Sequence, residues 1–136
     1  EEIFSKVKEY RLEKDVIFTG YVDQKDAQPL MAGASVFVFP SLYEGFGTPP
    51  VQAMACGTPV IVSDAASLPE VVGDAGMVVP VNNAEALSET IKEVLTDRDK
   101  QNTMREKGLK MVKRYTPEAA ARKLLDQYRN YARTEV

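Results

Sequence analysis

The sequence contains no histidine, no tryptophan and a single cysteine, Cys56. Without histidine the chain lacks the commonest general base and metal ligand, and any serine–histidine or cysteine–histidine nucleophile pair. Cys56 lies in an apolar segment, so we expect a small core residue rather than a disulfide, and a cytoplasmic location. Any catalysis that involves this chain must therefore rest on binding and electrostatics, or on a base supplied from elsewhere.

Lysine and arginine are absent from residues 26–91, although the chain contains 17 of them. A phosphate bound in this central part would need backbone amides, a helix dipole or a cation from outside it. The net charge of −3 argues against a nucleic-acid partner. The apolar run Val36–Phe39 is far too short for a bilayer, so we expect no transmembrane segment and at most a peripheral membrane association of the parent protein.

Apolar patterns predict strands alternating with helices in the first part of the chain and helices alone after Pro80. The predicted strands are Val16–Thr19, Ser35–Phe39, Pro59–Val62 and Met77–Val79; the late helices are 84–95, 97–115 and 117–133, the last with a buried stripe of Leu124, Leu125, Tyr128 and Tyr131. This pattern predicts one α/β domain over residues 1–136: a Rossmann-like parallel sheet of about four strands flanked by helices, with a helical C-terminal segment.

The segment Phe39–Pro59 has the features of a strand end, a glycine-bearing loop and a short helix. Thr48 is the predicted N-cap, and Pro49 suits the first helical position because its missing donor would be unpaired there. Gly45 and Gly47 allow close approach of the backbone to a ligand. Such a helix start attracts an anion, so the segment predicts a phosphate cradle.

A plain strand-to-helix turn with a solvated Glu44 explains the same segment equally well, because glycine-rich loops are common between strands and helices. Glu44, Gly20–Val22 and Asp64–Glu70 each follow a predicted strand. Ligands of parallel sheets bind at the carboxyl ends of the strands, so these three segments are expected to line one crevice.

Five segments together resemble the donor-binding C-terminal domain of the group 1 (family four) retaining glycosyltransferases, which have the GT-B fold. They are Val16-Ile-Phe-Thr-Gly-Tyr-Val22, Ala34-Ser-Val-Phe-Val-Phe-Pro-Ser41, Glu44-Gly-Phe-Gly47, Ala53-Met-Ala-Cys-Gly-Thr-Pro-Val60 and Leu68-Pro-Glu-Val-Val72. The resemblance covers residues 16–131 in order and spacing.

This resemblance implies a role for each matching position. Glu44 would be the catalytic-site acid that orients the hydroxyls of the donor sugar. Gly45, Phe46, Gly47 and Thr48 would bind the sugar and the diphosphate, and Gly20, Tyr21, Val22 and Gln52 would bind the nucleotide. The implied reaction transfers a hexose from a nucleotide diphospho-sugar to an acceptor with retention, without a cofactor or metal.

The chain departs from the family pattern at two places. Gln52 stands where the second acid of the family's Glu-x7-Glu motif binds the ribose, and glutamine keeps an acceptor oxygen but drops the charge. Ala66-Ser67 stands where paired glycines are often found, which would narrow the sugar pocket.

The N-terminal acceptor domain and the first βαβ unit of the donor domain, with its phosphate-binding cations, are expected outside this sequence. We therefore expect an incomplete GT-B C-terminal domain that is inactive alone and that needs the missing domain as a partner.

Two other functions remain open from sequence. The chain could be a non-catalytic or degenerate nucleotide-sugar-binding module, which Gln52 favours, or part of a nucleotide-sugar 2-epimerase, which Glu44–Gly47 fits less well. Asp97-Arg98-Asp99 matches a metal-binding Asp-x-Asp pattern, but acidic residues also suit a helix start, which is the interpretation we adopt.

Overall fold

The computed structural model describes residues 2–134, and the side chains of residues 2–132. The predicted domain limits, residues 1 and 136, lie outside this range. The strands are β1 (Phe37–Phe39), β2 (Val60–Ser63) and β3 (Met77–Val79). The α-helices are α1 (Glu2–Glu9), α2 (Gln24–Gly33), α3 (Thr48–Ala55), α4 (Leu68–Val72), α5 (Ala84–Thr96), α6 (Arg98–Met111) and α7 (Pro117–Thr134), with 3₁₀ turns at Gly73–Ala75 and Val112–Tyr115.

The strands form a parallel sheet in the order β1-β2-β3. Central β2 is buried on both faces, as expected for a parallel strand covered by helices. Val62 packs on one side in a cluster with Met54 of α3 and Leu68 of α4, whereas Ile61 packs on the other with Val94 of α5. The predicted α/β class is confirmed, with three strands among the described residues rather than about four.

The prediction of a buried strand at Val16–Thr19 was wrong. These residues have no regular structure, Ile17 is 85% exposed, and the Phe18 ring instead packs against the Phe4 ring in a tilted arrangement, at 4.2 Å between centroids. A strand needs a neighbour for its amides and carbonyls, and the described sheet ends at β1 without a further strand. The apolar pattern therefore marks a segment able to form a strand, but the described fold does not pair it.

The predicted starts of the C-terminal helices are confirmed by their caps. The Asn83 side chain accepts a hydrogen bond from the Ala86 amide at 3.0 Å, and Asp97 accepts one from the Lys100 amide at 2.9 Å. The Thr116 hydroxyl accepts from the amide of Ala119, at the start of α7. Each cap satisfies an amide that the helix itself leaves unpaired, which is typically worth about 1 kcal/mol.

The apolar stripe of α7 was predicted to be its buried face, with some exposure in this piece if the helix folds back onto the missing domain; the described fold leaves the stripe exposed. Leu124, Leu125, Tyr128 and Tyr131 are 53–69% exposed. The main packing of the helix is against the 3₁₀ turn Val112–Tyr115, which precedes it. An amphipathic pattern identifies the face suited to burial, but burial also needs a second surface, and residues 2–132 do not supply one here.

Helix α6 is joined to the turn Gly73–Ala75 by an ion pair between Lys107 Nζ and Asp74 Oδ2 at 3.0 Å. The hydrogen bond and the charge of Lys107 hold the pKa of Asp74 below its usual value. Both side chains are largely exposed, so solvent screens the pair and its contribution to stability is small.

Candidate functional site

The loop between β1 and α3 ends at Gly47, which adopts a left-handed conformation with φ +85° and is the N-cap of α3. The prediction of Thr48 as the N-cap was wrong, because Thr48 is already the first helical residue. Pro49 and Pro50 then occupy the next two positions and have no amide hydrogen. The donors at this helix start are thus reduced to the Thr48 amide and the loop amides before it, fewer than an ordinary helix start offers.

Glycine at position 47 is required by both conformation and space. A Cβ there would lie 2.6 Å from Leu68 Cδ2, and Leu68 is fully buried. Gly45 differs, because a Cβ built at this position meets no atom within 4 Å. Of the two glycines predicted to admit a ligand, Gly47 is the one that shapes the loop, and Gly45 leaves space open beside it.

Glu44 is half-buried at the start of the glycine segment. Its carboxylate Oε1 accepts a hydrogen bond from Ser41 Oγ at 3.0 Å, and its backbone carbonyl accepts one from Ser67 Oγ at 3.1 Å. Ser63 Oγ in turn donates to the carbonyl of Ser41. Glu44 is therefore held by the side chains of Ser41 and Ser67, and Ser63 supports Ser41, so Glu44 is not simply a solvated side chain.

Phe46 anchors the outer part of the loop on the C-terminal half of the chain. Its ring meets the Tyr115 ring edge-on at 5.3 Å between centroids, and it remains 43% exposed. The Tyr115 hydroxyl donates to the Val71 carbonyl of α4 at 3.0 Å. The 3₁₀ turn after α6 thus supports the same loop that carries Glu44.

Helix α3 ends as predicted, with Gly57 in the left-handed conformation at φ +73°. The amide of Gly57 donates to the Met54 carbonyl and the amide of Thr58 to the Ala53 carbonyl, each at 3.0 Å. This pair of bonds is a Schellman motif, which satisfies carbonyls that the helix end leaves free.

Gln52 lies on the side of α3 that faces α2. It lines a groove of about 220 Å³ between the two helices; the other lining residues are Gln24, Ala27, Gln28, Met31, Ala55 and Cys56. Three amide side chains in one groove offer both donors and acceptors without a formal charge. Cys56, predicted as a core residue, is half-buried at this groove.

The segment Gly20–Val22 leads directly into α2, whose first residue lines the same groove. Gly20 has φ +63°, and the Tyr21 side chain is 91% exposed. This segment is therefore linked to the groove only through Gln24, and Tyr21 itself makes little contact with the described residues.

A second cavity, of about 290 Å³, opens at the carboxyl ends of all three strands on the β3 side of the sheet. Its lining residues are Pro40, Leu42, Ser63, Val79, Pro80, Val81, Asn82, Asn83, Ala84 and Leu87. Beside it, Asp64 Oδ1 accepts a hydrogen bond from the Val81 amide at 2.8 Å. Of the three segments expected to line one crevice, two meet, because the Ser67 hydroxyl contacts the Glu44 carbonyl. Neither residue is among those that line this cavity, and Gly20–Val22 precedes α2.

Among the described residues, no group of three or more histidine, cysteine, aspartate or glutamate side chains could hold a metal ion. Asp97 of the Asp-x-Asp pattern caps α6, which confirms its interpretation as a helix start. Within residues 2–134, no helix is long and apolar enough to cross a membrane.

Ala66 lies beside the site in a conformation that disfavours it, with φ +46°. Ala66→Gly is expected to raise the free energy of unfolding by about 0.5–1 kcal/mol, because glycine adopts a positive φ without a Cβ penalty. Urea unfolding of the wild type and the variant measures this difference. Ala32→Gly, at an exposed helical position of α2, should change stability in the opposite direction. A fall in stability at both positions would contradict strain at Ala66.

Ser41 and Ser63 were not predicted as site residues, and Ser67 was expected only to line the crevice and narrow the sugar pocket. Ser41 follows β1 and Ser63 ends β2, so both lie at the carboxyl edge of the sheet where ligands of such folds bind. Their location was a usable signal. The hydrogen bonds of Ser63 and Ser67 could not be predicted, because they join residues 22 and 23 positions apart that only the fold brings together.

The fold and the loop define a class of protein: a domain of the GT-B type, with an acid held at the entrance of a glycine-bearing strand-to-helix loop. The family model "Glycosyl transferases group 1" matches residues 1–111, and the chain belongs to that family. The resemblance identified from the sequence is thereby confirmed.

Among curated proteins, the chain is similar to the O-antigen chain mannosyltransferase B of Escherichia coli, with 41% identity over 112 residues. That match covers 82% of this chain and 29% of the relative. A serotype-specific mannosyltransferase of the same species is 44% identical over 57 residues, which is 41% of this chain and 7% of the relative. The chain thus spans under a third of the curated relatives it matches.

Solved structures agree in fold. Sucrose-phosphate synthase from Thermosynechococcus elongatus superposes with a TM-score of 0.83 at 35% identity, over 97% of this chain and 34% of that protein. The C-terminal domain of a group 1 glycosyl transferase from Francisella tularensis has a TM-score of 0.74 at 27% identity, over 82% of this chain and 59% of that one. Anabaena HepE, solved in complex with UDP, has a TM-score of 0.85 at 23% identity, over 95% of this chain and 36% of that protein. The last comparison supports the fold alone.

Proposed function

We propose that this chain is the donor-binding part of a retaining glycosyltransferase, which moves a hexose from a nucleotide diphospho-sugar to an acceptor. The observation that carries the proposal is Glu44, held by Ser41 at the entrance of a loop that Gly47 shapes, in a chain of this family. A carboxylate held in one orientation can accept hydrogen bonds from sugar hydroxyls and align the ring for reaction.

In this proposal the amides of Gly45, Phe46, Gly47 and Thr48 face the sugar and the diphosphate. Since Pro49 and Pro50 contribute no donors, this helix start supplies only part of the charge stabilisation a diphosphate leaving group needs. The stretch 26–91 contains no cation, so the remainder must come from other parts of the full-length protein. The isolated chain would bind the donor weakly and catalyse no transfer, and the reaction would require no metal.

The nucleotide would lie towards the groove between α2 and α3. Gln52 is there beside Gln24, which follows the segment Gly20–Val22 by two residues. An amide can donate to one ribose hydroxyl and accept from another, but it binds less strongly than a carboxylate.

Calorimetry on the full-length protein tests the proposal. GDP-, UDP- and ADP-sugars are titrated in turn, with mannose as the first sugar because the curated relatives are mannosyltransferases. Micromolar to millimolar binding of at least one donor, with release of its sugar to an acceptor or to water, is expected. If no donor binds, the proposal fails.

Gln52→Glu is expected to tighten nucleotide affinity by about three- to tenfold, because a carboxylate accepts stronger hydrogen bonds from ribose hydroxyls than an amide does. Titration of the nucleoside diphosphate into wild-type and variant protein measures the change. Gln28→Glu, across the same groove, controls for a general effect of charge. Unchanged affinity in Gln52→Glu would mean that other groups hold the ribose.

A non-catalytic nucleotide-sugar-binding module is the second candidate, favoured by Gln52 in place of an acid. It predicts donor binding by the full-length protein without transfer or hydrolysis of the sugar. The calorimetry above, combined with product analysis of the same samples, separates the two functions.

A further inference from the structure

Two serine hydroxyls contact Glu44, and a third supports one of those serines. Ser41 follows β1, Ser63 is the last residue of β2, and Ser67 precedes α4. Ser41 reaches the carboxylate, Ser67 reaches the backbone carbonyl of Glu44, and Ser63 reaches the carbonyl of Ser41. Glu44 is thus restrained at both its side chain and its main chain.

The Ser41 hydroxyl has one proton and two acceptors in reach. Glu44 Oε1 lies at 3.0 Å and the Tyr43 carbonyl at 3.2 Å. The carboxylate is nearer and charged, and charged acceptors form the stronger hydrogen bond. The proton therefore serves mainly to hold the carboxylate in one rotamer.

The main chain of Ser41 is held in turn by a residue of the sheet. Ser63 is 1% exposed, pairs with Val79 of β3 in register, and donates its hydroxyl to the Ser41 carbonyl. A buried strand is among the most rigid parts of a fold. The orientation of Glu44 thereby depends on the position of β2.

Ser67 restrains Glu44 from the other side. Its hydroxyl lies 3.1 Å from the Glu44 carbonyl, and it follows Ala66 at φ +46°. Glycine at position 67, as in the family pattern noted above, has no hydroxyl and could not make this bond. The contact therefore belongs to this chain's Ala66-Ser67 variant of the pattern.

We propose that Ser41 and Ser67 are positioning residues for Glu44. Ser41 orients the carboxylate towards the donor sugar, and Ser67 fixes the position of the loop backbone at Glu44. This inference rests on the proposed function, in which Glu44 contacts the sugar. Neither serine is assigned a contact with the substrate.

The test measures kcat and the donor KM in the full-length protein for Ser41→Ala, Ser41→Thr and Ser67→Ala. Ser41→Ala is expected to lower kcat by about ten- to hundredfold with KM within about threefold, the size of a lost hydrogen bond to a charged group. Ser41→Thr keeps the hydroxyl and should stay within about threefold of wild type. Ser67→Ala should lower kcat by about three- to tenfold, since a neutral bond is lost.

Glu44→Ala and Ser88→Ala are run in parallel. Ser88 is exposed on α5 and serves as the matched serine control. A purely structural role would lower the unfolding temperature but leave kcat per folded molecule unchanged, so each variant's kcat is normalised to its folded fraction.

Three results would overturn the inference, and they are distinguishable. If Glu44→Ala abolishes transfer while Ser41→Ala and Ser67→Ala keep wild-type kcat, the positioning role is wrong and the proposed function stands. If Glu44→Ala also keeps wild-type kcat, Glu44 does not act on the sugar, and the proposed role of this loop fails together with the inference. Loss of kcat in both Ser41→Ala and Ser41→Thr would show that the missing hydroxyl is not the cause of the loss, and would contradict the positioning role of Ser41.

Discussion

Replacement of Glu44 by alanine in the full-length protein is expected to lower kcat by about a hundredfold or more, with nucleotide affinity changed by about threefold or less. The carboxylate lies at the entrance of the loop and is held by Ser41, whereas Gln52 lies in the groove between α2 and α3. An interaction with the sugar that strengthens as the reaction proceeds affects turnover more than ground-state binding.

Steady-state kinetics with the best donor and titration of the nucleoside diphosphate measure the two quantities. Glu89→Ala removes the same side chain from an exposed position of α5 and should leave both unchanged. Equal losses of turnover and nucleotide affinity in Glu44→Ala would contradict a sugar-orienting role.

Gly47→Ala is expected to lower the free energy of unfolding by about 2–4 kcal/mol. The positive φ of +85° disfavours any residue with a Cβ, and that Cβ would lie 2.6 Å from Leu68 Cδ2. Leu68 is fully buried in the core cluster on one face of β2, so its side chain can move only by disturbing that packing.

Chemical unfolding of the full-length protein measures the loss, and Gly45→Ala is the matched control because a Cβ at that position meets no atom within 4 Å. A similar loss in both variants would show that the loop tolerates no side chain at all. Wild-type stability in Gly47→Ala would contradict the tight packing of the loop on α4.

Much of the core could be predicted from residue pattern alone. Val60–Val62 is apolar at every position, which is typical of a parallel strand with both faces covered, and the structure buries all three. Asn83 and Asp97 predicted two helix starts, because the side chain of an N-cap bonds to an amide only three residues later. Local interactions of this kind are encoded within a short window and do not depend on the rest of the fold.

Other predictions failed where a second surface was needed. Val16–Thr19 has the composition of a strand and α7 has an apolar stripe, yet neither is paired or buried among the described residues. The prediction of Thr48 as the N-cap failed for a different reason. Gly47, at positive φ, is the N-cap, so the helix starts one residue before the predicted start, and the close packing of Leu68 against Gly47 contributes to this arrangement.

The sequence by itself determined the α/β class, the family, and the position of Glu44 at the start of a glycine-bearing loop, because each is carried by short residue patterns and by their order along the chain. Only the tertiary structure decided how Glu44 is held, since the hydroxyls of Ser63 and Ser67 reach it or its support from segments about 20 positions away. It also decided that Gln52 lines the groove between α2 and α3, whereas Glu44 is bonded to Ser41 and Ser67. Hydrogen bonds between distant segments follow from how strands and helices pack, which no short stretch of sequence specifies.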